Sequence, residues 1–149
     1  MAYKAQIPYG AYWSTPFARW QGSFANLHSI EFAAHVTKQE LAKRKIAGEA
    51  IDHGVLGITV LQKHSFFGLP WFTGLAGLGH VSGPTVMQAC ATSVRVLATA
   101  AEEIETGLAR TALAASLPSD QSLTDSAPTL SFSLPKSLSR FSFWHLHGR

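Results

Sequence analysis

Two apolar runs of strand length, Val55 to Leu61 and Thr85 to Ala89, alternate with stretches whose apolar residues recur at helical spacing. This alternation constrains the fold more than any other feature of the chain. The first helical stretch starts at Asn26 or Ser29, either of them a suitable N-cap, and carries Ile30, Ala33, Ala34, Thr37 and Leu41 on one face. Lys43, Arg44 and Lys45 suit its C-terminal end, and Gly48 can stop it. Between the two apolar runs, Ser65 to Gly79 has the spacing of a short helix despite its glycines. The last helical stretch, Ala91 to Thr106, places Ala91, Val94, Leu97, Ala98, Ala101 and Ile104 on one face, with Gly107 in the C′ position. Ala5 to Trp13 reads as a strand bent at Pro8 or Gly10. Strand, helix, strand, helical connection, strand and helix in that order predict an α/β layered domain of βα units, a mixed sheet flanked by helices.

A hydrophobic fraction of 46% with 14% charged residues gives the 149-residue chain enough apolar material for one core. The net charge of +3 is small, and the basic residues are scattered apart from Lys43-Arg44-Lys45, so no nucleic-acid partner is expected. A single cysteine excludes an internal disulfide and agrees with a reducing compartment. No basic-then-apolar leader and no bilayer-length apolar run are present, so no membrane association and a cytoplasmic location are expected. Beyond Gly107, serines and Pro118, Pro128 and Pro135 replace the periodic pattern. The expected organisation is therefore a domain over residues 1–107 and a divergent, flexible Ser/Pro-rich tail over 108–149, with some strand pairing at Leu130 to Leu134.

Cys90, between the second apolar run and the last helical stretch, is the candidate functional residue. A thiol there sits where a strand hands over to a helix N-terminus, whose free amides and dipole favour an anion and hence a thiolate nucleophile. The plainer reading of a lone cysteine is a small buried hydrophobe. The histidines, His28, His35, His53, His64, His80, His145 and His147, form no ligand pattern, so no metal is expected. Gly74, Gly77, Gly79 and Gly83 lack the Gly-Lys-Ser/Thr ending of a phosphate loop, and Glu102, Glu103 and Glu105 read as a solvated helix face.

Two stretches in this order resemble the thiolase family. Ser14-Thr15-Pro16-Phe17-Ala18-Arg19-Trp20-Gln21-Gly22-Ser23-Phe24 resembles the family's N-terminal pattern R-T-P-F-G-R-F-G-G-S-L, and Val86-Met87-Gln88-Ala89-Cys90-Ala91-Thr92-Ser93 is similar to its nucleophile segment. The resemblance runs from about Lys4 to Gly107. It implies the N-terminal half of a fold built from two similar βαβ halves. It also implies that Cys90 accepts an acyl group from an acyl-CoA as a thioester, for Claisen condensation or thiolysis. Coenzyme A thioesters would then be substrates, with no permanently bound cofactor.

Ser93 stands where the family has glycine, and Ala18 where glycine is common. The family's activating His, second Cys and Asn-held water belong to sequence beyond the resemblance, and no residue here matches them. Thr111 to Ala115 could mimic a strand but does not convincingly continue the family's next one. The resemblance therefore implies a truncated form with little activity alone, either homo-oligomeric or associated with full-length thiolase. The alternative is a non-catalytic interaction module that binds intact thiolase subunits.

Overall fold

The computed structural model describes residues 4–19 and 22–117, and the expectations for the Ser/Pro-rich segment from 118 onward lie outside them. Its elements are α1 (Ser29–Arg44), β1 (His53–Ile58), α2 (Gly68–Ala76), β2 (Thr85–Val86), α3 (Thr92–Glu105) and β3 (Ala112–Leu117). Short 3-10 turns, Gly48–Ala50, Ser65–Phe67 and Ala89–Ala91, precede β1, α2 and α3.

The strands form a parallel sheet in the order β2-β1-β3. Leu56 of β1 is level with Thr85 of β2, and His53 through Ile58 pair with Ala112 through Leu117 of β3. The connection through α2 moves to one side of β1, and the connection through α3 returns across it to the other. With one crossover hand for both, the two helices fall on opposite faces. The core divides accordingly. Leu56, Ile58 and Leu117 join Ile30, Ala34 and Leu41 of α1 and Leu69, Phe72 and Ala76 of α2 on one face. Val55 joins Val96 and Ala100 of α3 on the other, with Val86, Ala112 and Ala114 packed against them. Successive residues of β1 thus serve opposite layers, as the period of two in a strand requires.

Helix ends follow backbone chemistry. α3 closes in a Schellman motif, with the Leu108 amide donating to the Glu103 carbonyl at 2.9 Å and the Gly107 amide to Ile104 at 3.1 Å. Gly107, at φ 80°, supplies the left-handed residue expected there. α1 departs from expectation at both ends. Its N-cap is His28, whose Nδ1 accepts from the Ile30 amide at 3.3 Å while Nε2 lies 2.9 Å from the Lys63 carbonyl, a pattern that fits the Nε2–H tautomer. It ends at Lys45, held left-handed at φ 56°, before Gly48 is reached.

Two larger corrections concern the chain ends. Ala5 to Trp13 is not a strand: in place of a ladder, the Ala11 amide donates to the Pro8 carbonyl at 3.0 Å in a local turn, and side chains bond three further backbone groups. The Glu105 carboxylate accepts from the Lys4 and Ala5 amides, and the Arg44 guanidinium donates to the carbonyls of Gly10 at 2.8 Å and Tyr12 at 3.1 Å. At the other end, β3 lies beyond Gly107, where composition alone ended the domain. Its small residues Ala112 and Ala114 fit beneath α3, so Ala-rich sequence forms a partly buried strand without strong β propensity.

Candidate functional site

Because the strands are parallel, their carboxyl ends share one edge of the sheet, the edge at which open α/β sheets place their ligands. β1 and β3 are tied together there by the Thr59 hydroxyl, 3.3 Å from the Leu117 carbonyl. At the same edge the chain leaves β2, passes through the Ala89–Ala91 turn and enters α3. Cys90 lies in the middle of that turn, free and exposed. It is therefore not the buried hydrophobe of the alternative reading.

The turn is built by its neighbours. Thr92, fully buried, accepts the Gln88 amide on its hydroxyl oxygen at 2.9 Å and donates the hydroxyl proton to the Ala89 carbonyl at 2.7 Å. The Ala91 amide donates to the Gln88 carbonyl at 3.0 Å, and Arg95 Nε donates to the Gln88 side-chain oxygen at 3.0 Å. Between these clamps Ala89 is held at φ 46°, a left-handed conformation that costs a non-glycine residue about 1–2 kcal/mol. Gly57 of β1 makes room for the helix end, since a Cβ there would lie 2.7 Å from Thr92 Cγ2 and 2.5 Å from Val96 Cγ2. Val94 and Leu97, four and seven residues after Cys90, are exposed on the same helical side, and Met87 is exposed just before the turn. The side chains that bond the turn, Gln88, Thr92 and Arg95, include no general base.

The histidines and carboxylates are placed elsewhere. His28 caps α1 and packs against Trp71 at a tilt of 49°, with ring centroids 4.7 Å apart; His80 Nε2 lies 3.1 Å from the Ile51 carbonyl; His35 is exposed on α1. His64 lines an open apolar groove with Phe67, Pro70 and Trp71. His53 Nε2 stands 2.9 Å from Glu103 Oε2 at the amino end of β1, with side chains only 12% and 16% exposed. Glu103 therefore does not belong to a solvated face, and Glu105 is engaged with the N-terminal segment. Helical spacing gives no sign of this, because both partners come from distant sequence. Among the described residues, no three His, Cys, Asp or Glu side chains converge as a metal site would require.

Asp52, just before β1, accepts the Thr111 amide at 3.0 Å and the Arg110 amide, and pairs with Arg110 Nε at 3.0 Å. The Thr111 hydrogen bond, opposed by desolvation and aided by Arg110, holds its carboxyl below the ordinary value. This carboxylate anchors the entry to β3 and lies at the end of the sheet opposite Cys90.

The family model for the thiolase N-terminal domain matches residues 11–117. The chain belongs to the thiolase family. The match runs to the end of β3, so the family-like stretch extends past Gly107, the limit expected from the motifs. The chain is 28% identical over 127 residues to a 3-ketoacyl-CoA thiolase of Salmonella paratyphi A, an alignment covering 85% of this chain and 28% of that relative. The chain thus spans little more than a quarter of the thiolase it matches.

The fold is also that of thiolases. Human mitochondrial 3-ketoacyl-CoA thiolase, solved in complex with CoA, superposes with a TM-score of 0.57 at 20% identity, over 64% of this chain and 25% of that one. The Bacillus anthracis acetyl-CoA acetyltransferase superposes with a TM-score of 0.54 at 20% identity, over 60% and 23%.

Proposed function

We propose that this chain provides the acyl-accepting half of a thiolase-type site, in which Cys90 takes an acyl group from an acyl-CoA. The thiolate sulfur attacks the thioester carbonyl, a new S–C bond forms, the bond to the coenzyme A sulfur breaks, and coenzyme A leaves as the thiol with the proton that Cys90 gave up. The observation that carries this reading is the exposure of Cys90 at the strand-to-helix turn, in a chain of this family. Free amides at the start of α3 suit the oxyanion that develops as the thioester carbonyl is attacked.

The turn's own partners supply no proton acceptor, and general acid–base help contributes about 10²–10⁴-fold in such reactions. The chain alone therefore acylates slowly and turns over little, and a complementary thiolase half supplies the base. The exposed apolar side chains Met87, Val94 and Leu97 beside Cys90 suit such a covering surface. The same surface favours a second reading, in which the chain binds intact thiolase subunits without chemistry of its own.

Intact-mass measurement after incubation with acetyl-CoA and longer acyl-CoAs tests both readings. The chain is assayed alone and with a full-length thiolase whose own nucleophile is replaced. An acyl adduct abolished by prior alkylation of Cys90 supports acyl transfer. Absence of the adduct in every condition rejects it, and co-elution without an adduct supports the binding reading.

A further inference from the structure

We propose that Thr92 is the positioning residue of Cys90: its buried hydroxyl holds the left-handed Ala89 turn closed and so keeps the thiol at the N-terminus of α3. The hydroxyl is used twice, accepting from the Gln88 amide at 2.9 Å and donating to the Ala89 carbonyl at 2.7 Å, so it closes the turn from both sides of the strained residue. Alanine has no preference for φ 46° and moves to ordinary backbone conformations when these bonds are lost. Cys90 follows directly after it, so a change at Ala89 redirects the thiol away from the helix end. The methyl of Thr92 fixes the other end of the device. It fills space that only a glycine at position 57 leaves open, and this locks the hydroxyl's position to the central strand. Thr92 thus couples the sheet to the nucleophile without touching a substrate. This inference deepens the acyl-transfer reading and rests on it for its purpose, but its own measurements need no acyl group.

The test compares the parent chain with Thr92→Val, which keeps the shape and loses the hydroxyl, Thr92→Ser, which keeps the hydroxyl, and the double variant Ala89→Gly/Thr92→Val. Amide exchange of Gln88 is followed by NMR with Ala100, buried in the middle of α3, as internal reference. Alkylation of Cys90 by iodoacetamide is followed at neutral pH. In Thr92→Val, Gln88 exchange accelerates at least about tenfold relative to Ala100, and alkylation slows at least about threefold as the thiol leaves the helix end. Thr92→Ser stays within about twofold of the parent in both measurements. Glycine at 89 relieves the strain that opens the turn, so the double variant recovers the alkylation rate, which loss of packing alone would not allow. Should Thr92→Val fail to fold, Thr92→Ala takes its place, since it leaves the same two backbone groups unpaired in a side chain that fits the site.

Unchanged Gln88 exchange, or an alkylation rate equal in Thr92→Val and the parent, overturns the proposal. A parent chain that takes no acyl group from any acyl-CoA, alone or with the full-length thiolase partner, yet shows these rate changes among the variants, overturns the acyl-transfer reading and supports the role of Thr92.

Discussion

Gly57 stands on the face of β1 that receives α3, and replacing it with alanine measures how closely that helix is seated. A Cβ at this position would lie 2.5 Å from Val96 Cγ2, 2.7 Å from Thr92 Cγ2 and 3.4 Å from Ser116 Oγ. Carbon atoms in contact prefer about 3.5–4.0 Å, so the start of α3 has to retreat by about 1 Å. Val96 and Thr92 are 1% and 0% exposed, which leaves neither side chain free space to turn into. Overpacking of this kind costs about 1–3 kcal/mol, and removing a strand glycine returns about 0.5–1 kcal/mol. The expected net loss for Gly57→Ala is about 0.5–2 kcal/mol, a fall in Tm of about 2–10 °C for a domain of this size. Val96→Ala removes the nearer obstructing methyl, so the double variant loses less than the sum of the two single variants, with a coupling of about 1 kcal/mol. Urea and thermal melts of the four proteins supply the cycle. A Gly57→Ala chain as stable as the parent, or costs that add within about 0.5 kcal/mol, would refute close seating of α3 on β1.

Phe72 is fully buried between α1, α2 and the sheet, and Phe72→Ala should cost about 3–5 kcal/mol in urea unfolding. Cys90→Ser should leave stability within about 0.5 kcal/mol, because the thiol is exposed, while abolishing any acyl adduct seen by mass spectrometry. The Asp52 carboxyl is held below its ordinary value of 3.8, so its contribution to stability is fully present above that value and is lost as pH falls through the lower folded value. Asp52→Asn should accordingly lower the urea midpoint at neutral pH and flatten its fall on acidification; identical acid limbs in the two proteins would remove Asp52 from the account.

Much of the order of elements was legible because it depends on local chemistry. The helical face of Ala91 to Ile104 and the C′ glycine at 107 specify α3 and its Schellman end without reference to distant residues. The apolar run at Val55 specifies β1 in the same way. Elements whose stability comes from across the fold were legible in part or not at all: Thr111 to Ala115 has the look of a strand, but nothing local makes it the third strand of the sheet. Ala112 to Leu117 is a strand because β1 pairs with it over its whole length and small side chains are needed under α3. Ala5 to Trp13 is held outside the sheet, with Arg44 and Glu105, distant in sequence, bonding the Ala5 amide and the Gly10 and Tyr12 carbonyls. His28, at the start of α1, takes the capping role from the more usual Asn26 or Ser29 because its second ring nitrogen reaches Lys63, which only the folded chain brings near.

At the candidate site the division is similar. By itself the sequence determined that a single cysteine stands between a strand and a helix in a thiolase-like segment, because that placement is set by local periodicity and short motifs. The tertiary structure decided that Cys90 is exposed, that Thr92 grips the turn around it, and that Gly57 gives the helix its seat. Exposure and hydrogen bonding at a turn depend on which surfaces the chain brings together, and no local pattern encodes that choice.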